Sequence, residues 1–225
     1  EIRLGEAELG DEQRAAADQV LNWNGELRRD SDPALKYAYF RMALAESLGE
    51  DAHRALRDKI DQWYLIVENR TPPPVELSAA DQQAIAAAFV KGLDDITGHF
   101  GSLDTPYGQV FRVGRDDDSW PVGGGGGDQY GLTTLRTMGY GPPRDDHTRW
   151  GTHGQTSTQI IELSTPIKSW IYIPVGQSDR PDSPHYNDQA EKLFSPREMK
   201  PSWWRPEDLA GNIESRSEYQ YKKGS

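Results

Sequence analysis

GQSDRPDSPHYNDQAEKLF, Gly176 to Phe194, is long and polar for a simple reversal. Before it, IKSWIYIPV (Ile167–Val175) is rich in β-branched and aromatic residues and reads as a strand. Its own end, AEKLF, reads as a short helix. A connection between such elements needs only about two to six residues. Two prolines, a lone histidine and many polar groups therefore leave two readings. Either this is a plain surface loop, or its polar groups hold one backbone path inside a larger protein.

Outward from this stretch the texture is β and loop. STQIIEL (Ser157–Leu163) and Ile167–Val175 are predicted as a hairpin across STP. YGQVFRVGRDDDSWPVGGGGGDQYG (Tyr107–Gly131) combines a short apolar run, an acidic turn and a glycine loop. The tail from Ser195 to Ser225 is polar, with PSWWRP (Pro201–Pro206) as its expected anchor.

The first hundred residues read as helices. Gly10–Trp23 is alanine-rich, with Ala17, Val20 and Leu21 at helical spacing and Gly25 as a stop. A second helix has Ser31 or Asp32 as its cap, Pro33 in its first turn and Gly49 beyond its end. Leu35, Tyr39, Met42 and Glu46 follow its spacing, with Ala38 and Ala45 beside them. A third carries the stripe Leu56, Ile60, Trp63 and Val67, and Thr71–Leu77 breaks the pattern with three prolines. A fourth opens with Ser78 and Asp81 at capping-box spacing and is expected to close at Gly98. The predicted class is thus α+β: residues 1–100 helical, residues 101–225 strands and loops. Two to four strands make a poor sheet alone, so the halves are read as one unit whose strand partners lie elsewhere.

Composition narrows the partners. The chain has 225 residues, no cysteine and a net charge of −11. An acidic surface repels phosphate backbones, so nucleic acid is not an expected partner. No apolar run approaches the roughly 20 residues of a membrane span, so no membrane is expected either. Ten tyrosines and seven tryptophans in a chain that is only 35% hydrophobic suggest packing against another chain, or a loop-rich surface. The opening EIRLGEAELG has neither an initiator methionine nor a signal peptide, as expected after removal of a leader or cutting of a longer precursor.

Chemistry is sparse. Gly123–Gly127 lacks the GK[ST] and flanking elements of a phosphate cradle, and reads as backbone that bends sharply or passes close to something. Asp116, Asp117, Asp118 and Asp128 lack the ligand spacing of a calcium loop. His53, His99, His147, His153 and His185 include no i, i+4 pair and no HExxH, and His147 and His153 flank Trp150 in a polar loop. No GxSxG nucleophile elbow occurs. His185 is read as pinning its loop through hydrogen bonds from its ring. No catalytic residue and no metal site is assigned to this chain, and its binding residues stay unassigned.

Four segments, in order, resemble the penicillin acylase family. The opening stretch is similar to its GQSGxPxSPHYxDQ, keeping Gly176, Gln177, Ser178, Pro181, Ser183, Pro184, His185, Tyr186, Asp188 and Gln189, with Asp179 where glycine is common. LNWNGELRRDSDPALKYAYF matches LxxWDGxxxxDSxxAxxF at Leu21, Trp23, Gly25, Asp30, Ser31, Ala34 and Phe40, with Asn24 for the usual Asp. WPVGGGGGDQYG resembles the PVGGxGD loop. GQTSTQIIEL resembles a strand in which Gln159 replaces the usual Arg.

The resemblance implies an N-terminal nucleophile hydrolase with an αββα sandwich. Its precursor cuts itself into an α and a β chain, and the β chain's N-terminal Ser attacks an amide with its own α-amine as base. An Asn side chain and a backbone N–H form the oxyanion hole. This chain would be the C-terminal part of the β chain. Its expected partners are the α chain, the N-terminal part of the β chain and a small acyl-amide substrate. No cofactor is expected, with room for a structural calcium elsewhere in the assembly, and the expected location is the bacterial periplasm or medium. Under this reading the signature loop is interior scaffold. Pro181 and Pro184 set its φ angles, and Gln177, Ser178, His185 and Gln189 satisfy buried backbone groups. Two other readings stay open: a binding module, for instance for a glycan, using Trp150, Trp203 and Trp204, and a structural remnant without a site.

Overall fold

A computed structural model describes residues 9–60, 76–126 and 138–220. The expectations for Trp63, Val67, Pro72–Pro74, Gly127 and Asp128 lie outside the described residues.

Among the described residues, four helices come first along the chain: α1 (Asp11–Leu21), α2 (Asp32–Leu48), α3 (Glu50–Ile60) and α4 (Ala79–Phe100). Ser31 caps α2, its Oγ accepting from the Ala34 amide at 3.2 Å, with Pro33 in the first turn. Ser78 and Asp81 close a reciprocal capping box on α4, both bonds 3.1 Å. That helix does not stop at Gly98. It runs to Phe100 and ends where Gly101 takes φ 80°, because Gly98 is held in helical geometry by the turn around it.

Helices α2 and α4 lie antiparallel. Phe40, Ala43 and Leu44 late in α2 share a core with Ile85, Ala88 and Phe89 early in α4, to which α1 adds Ala16 and Ala17 and α3 adds Leu56. Leu35 and Ala38 early in α2 share another with Ile96 late in α4. Burial on α2 therefore covers most of its circumference, not the single stripe of its spacing. Ala34, Phe40, Ala43 and Leu44 are buried, whereas Ala45 and Glu46 are exposed. Lys36 is buried at 1% exposure and reaches Asp32 at 2.7 Å one turn back.

The second core continues through the helical turn α5 (Tyr107–Val110) into β1 (Phe111–Arg115), so Tyr107, Val110 and Phe111 pack with Leu35 and Ile96. A four-stranded sheet follows in the order β2 (Asp118–Pro121), β1, β4 (Arg149–Gly154), β3 (Met138–Tyr140). Strands β1 and β4 are parallel; the outer pairs are antiparallel. The predicted hairpin forms as β5 (Thr158–Glu162) and β6 (Lys168–Tyr172), antiparallel, with Thr158 opposite Tyr172 and Glu162 opposite Lys168. Two residues of β7 (Lys200–Pro201) complete this second sheet. AEKLF forms one π-helical turn, Ala190–Phe194, whose Ala190 and Phe194 pack on Val113, Val122 and Met138. A short helix α6 (Pro206–Leu209) precedes the tail.

Candidate functional site

Three of the four motif segments converge beside the first sheet. From the end of β1, the Arg115 guanidinium donates to the carbonyl oxygens of Ser178 (2.7 Å) and Gly176 (3.4 Å) and lies 4.8 Å from the Tyr186 ring centre. The Asp116 carboxylate hydrogen-bonds the Tyr186 phenol and, with burial, raises its pKa above the usual value. The acidic run is thus the β1–β2 turn, tied to the signature loop. Among the described residues no three His, Asp or Glu side chains group as a metal ion requires.

Within the loop, the Ser178 amide donates to the His185 carbonyl (3.1 Å), and the Ser178 and Ser183 hydroxyls accept from the amides of Arg180 (3.1 Å) and His185 (3.2 Å). Gln189 Oε1 accepts from the Ile173 amide at 3.2 Å, and the Ala190 amide donates to the Val175 carbonyl at 2.8 Å. The two passes of chain touch so closely at Gly176 that an added Cβ would overlap the carbonyl oxygens of His185 and Tyr186.

Gln189 therefore serves a half-buried backbone amide as expected. Ser178 serves an exposed one, and Gln177 and His185 meet side chains instead, although the His185 ring does pin its loop, through Asp188. Most of the loop between Gln177 and His185 is at the surface of this chain, where water can serve its backbone. Gln177 Oε1 meets Lys200 Nζ at 3.5 Å. The His185 ring lies between two carboxylates, with Nδ1 3.0 Å from Asp188 Oδ2 and Nε2 2.8 Å from Glu214 Oε2. These contacts, Asp188 first, raise its pKa.

The glycine loop is a close backbone crossing. An added Cβ at Gly123 would stand 2.5 Å from the Leu27 carbonyl oxygen, and the Gly124 amide donates to that oxygen at 2.7 Å. Two tyrosine hydroxyls, Tyr107 (2.9 Å) and Tyr140 (3.0 Å), donate to the Gly124 carbonyl. Arg29 Nη1 donates to Ser195 Oγ at 2.9 Å, which donates to the Pro121 carbonyl at 2.6 Å. The tryptophan motif, the glycine loop and the residue just past the signature stretch thus meet in one junction, built from backbone, neutral hydroxyls and the Arg29 guanidinium.

The histidines are dispersed. His53 lies on α3. His99 and His147 stack face to face at 3.7 Å, and burial followed by the His147 charge lowers the His99 pKa. His153 Nδ1 is 3.0 Å from the Thr152 hydroxyl; both are exposed, and among the described residues no carboxylate orients that ring. Trp150 sits in β4 under the Arg144 guanidinium at 4.1 Å. Trp203 and Trp204 lie elsewhere, in the irregular segment just after β7, and are exposed rather than anchored. With Pro166, Ile167, Trp170 and Arg205 they line an open groove of about 490 Å³. Arg115, Tyr107, Tyr140 and Glu214 carried no sequence signal, because only the fold brings them to their partners.

Residues 2–211 match the family described as penicillin amidase, and the chain belongs to that family. It is similar to the solved thermostable penicillin G acylase from Alcaligenes faecalis at 15% identity, with a TM-score of 0.41. The match covers 99% of this chain and 45% of that one. Among the described residues no helix is long and apolar enough to cross a membrane.

Proposed function

We propose that this chain is the C-terminal segment of the β chain of a penicillin-acylase-type amidohydrolase, exported to the periplasm or medium. Its helical and β halves would be one unit, completing an αββα sandwich with the α chain and the N-terminal part of the β chain. The companion's N-terminal Ser would attack a linear amide between an aryl or fatty acyl group and an amine, such as a β-lactam nucleus, a homoserine lactone or a lipopeptide. The amine would leave, and water would release the acyl group. No residue of this chain takes a chemical role in that scheme.

One observation carries the reading. Among the described residues, strand β5 pairs on one edge only, with β6, and the neighbouring residues Ile160 and Ile161 are 55% and 46% exposed. Successive side chains point to opposite faces, so each face of this edge strand presents one exposed isoleucine. That suits a strand in the middle of a larger sheet and is a liability on a free surface. A second reading, a glycan-binding module, is favoured by the groove at Trp203 and Trp204.

Denaturing mass spectrometry of the native protein tests both. A co-purifying chain with an unblocked N-terminal Ser supports the acylase. A folded, monodisperse single chain overturns it and leaves the glycan reading.

A further inference from the structure

Among the hydrogen bonds and ion pairs of the described residues, Glu214 to His185 is the contact that ties residues 213–220 to the body of the chain. The other ring nitrogen is held by Asp188 on the signature loop. A neutral imidazole carries one N–H, and only the imidazolium donates from both nitrogens. The observed bridge between two acceptor-only carboxylates therefore fits the protonated ring.

The two carboxylates are not equivalent. Asp188 is 23% exposed, and its Oδ1 has no hydrogen-bond partner; Glu214 is 72% exposed. When one proton leaves, the remaining N–H stays with the carboxylate that water serves poorly, which is Asp188. Glu214 then faces a ring lone pair and is better solvated away. The charged groups facing the ring are Asp188 and Glu214. Neighbouring charges are engaged elsewhere: Arg180 with Asp182 at 2.6 Å, Arg115 with the Gly176 and Ser178 carbonyls, and Asp116 with Tyr186.

We propose that His185 is a proton-operated latch: doubly protonated, it holds the 213–220 tail against the signature loop, and loss of one proton to solvent releases the tail. The device acts on the tail whichever activity the assembly has.

A spin label on Ser217→Cys, in the intact protein that carries this chain, reads the latch; the chain has no cysteine of its own. Mobility is compared at about pH 5 and about pH 9, either side of the ordinary imidazole range. The mobile population should rise roughly two- to fivefold at the higher pH, the scale of one exposed ion pair. In Glu214→Gln, an exposed change that leaves the fold intact, and in His185→Gln the label should be mobile at both. Equal mobility of the otherwise unaltered protein at the two pH values overturns the latch, as does an unchanged pH step in Glu214→Gln.

Discussion

The paired tyrosines on Gly124 make a quantitative test of the motif junction. Tyr107 is fully buried and stacks on Phe111 at 4.1 Å; Tyr140 meets the same ring edge-on at 4.7 Å. Both hydroxyls donate to one carbonyl in a buried loop. Tyr107→Phe removes the bond to the Gly124 carbonyl, worth about 1 kcal/mol, and leaves that acceptor served by Tyr140. Tyr140→Phe should cost about the same. Removing both strands a buried carbonyl, which adds about 1–3 kcal/mol beyond the sum. The double variant should therefore lose about 3–5 kcal/mol against about 2 for the singles added, a coupling of about 1–3 kcal/mol. Urea unfolding of the intact protein, at constant m-value, measures all four corners of the cycle. A double variant that equals the sum of the singles to within about 0.5 kcal/mol refutes the shared-acceptor account.

Gly176→Ala should cost about 1–3 kcal/mol by forcing the signature loop away from β6, seen as a lower Tm; an unchanged Tm would mean the crossing is not tight. Lys36→Ala should cost about 2–4 kcal/mol by emptying a buried position, and Lys36→Met less than half of that, because the methionine refills the space. Equal losses would place the stabilisation in the ion pair with Asp32 and not in packing. The folded pKa of His99 is lowered, so its contribution is complete above the unfolded value of about 6.5 and is lost as pH falls from there through the folded pKa. His99→Asn should flatten that acid limb of the Tm–pH curve, and a limb unchanged in the variant would assign it to other groups.

Helix starts were legible in the sequence because capping is local. Ser31, Pro33, Ser78 and Asp81 act within one turn of chain, and each does what its spacing predicts. The β5–β6 hairpin was legible for the same reason. Gly98 misled because a glycine stops a helix only where the chain turns left-handed, and that choice falls to Gly101 three residues on. The α2 stripe misled because periodicity marks one buried face, whereas α1, α3, α4 and α5 surround this helix. The family itself was legible, since four ordered motifs survive as a pattern in one dimension.

Most long-range roles of those motif residues were not legible. His185 was expected on backbone groups and instead joins Asp188 to Glu214, a partner 29 residues along the chain. Arg115 meets the signature loop from 63 residues away, and Arg29 meets Ser195 from 166. The sequence alone thus determined the local elements and the lineage, both of which depend on short-range spacing. Only the tertiary structure decided which polar groups meet, because pairing depends on distances that chain separation does not encode.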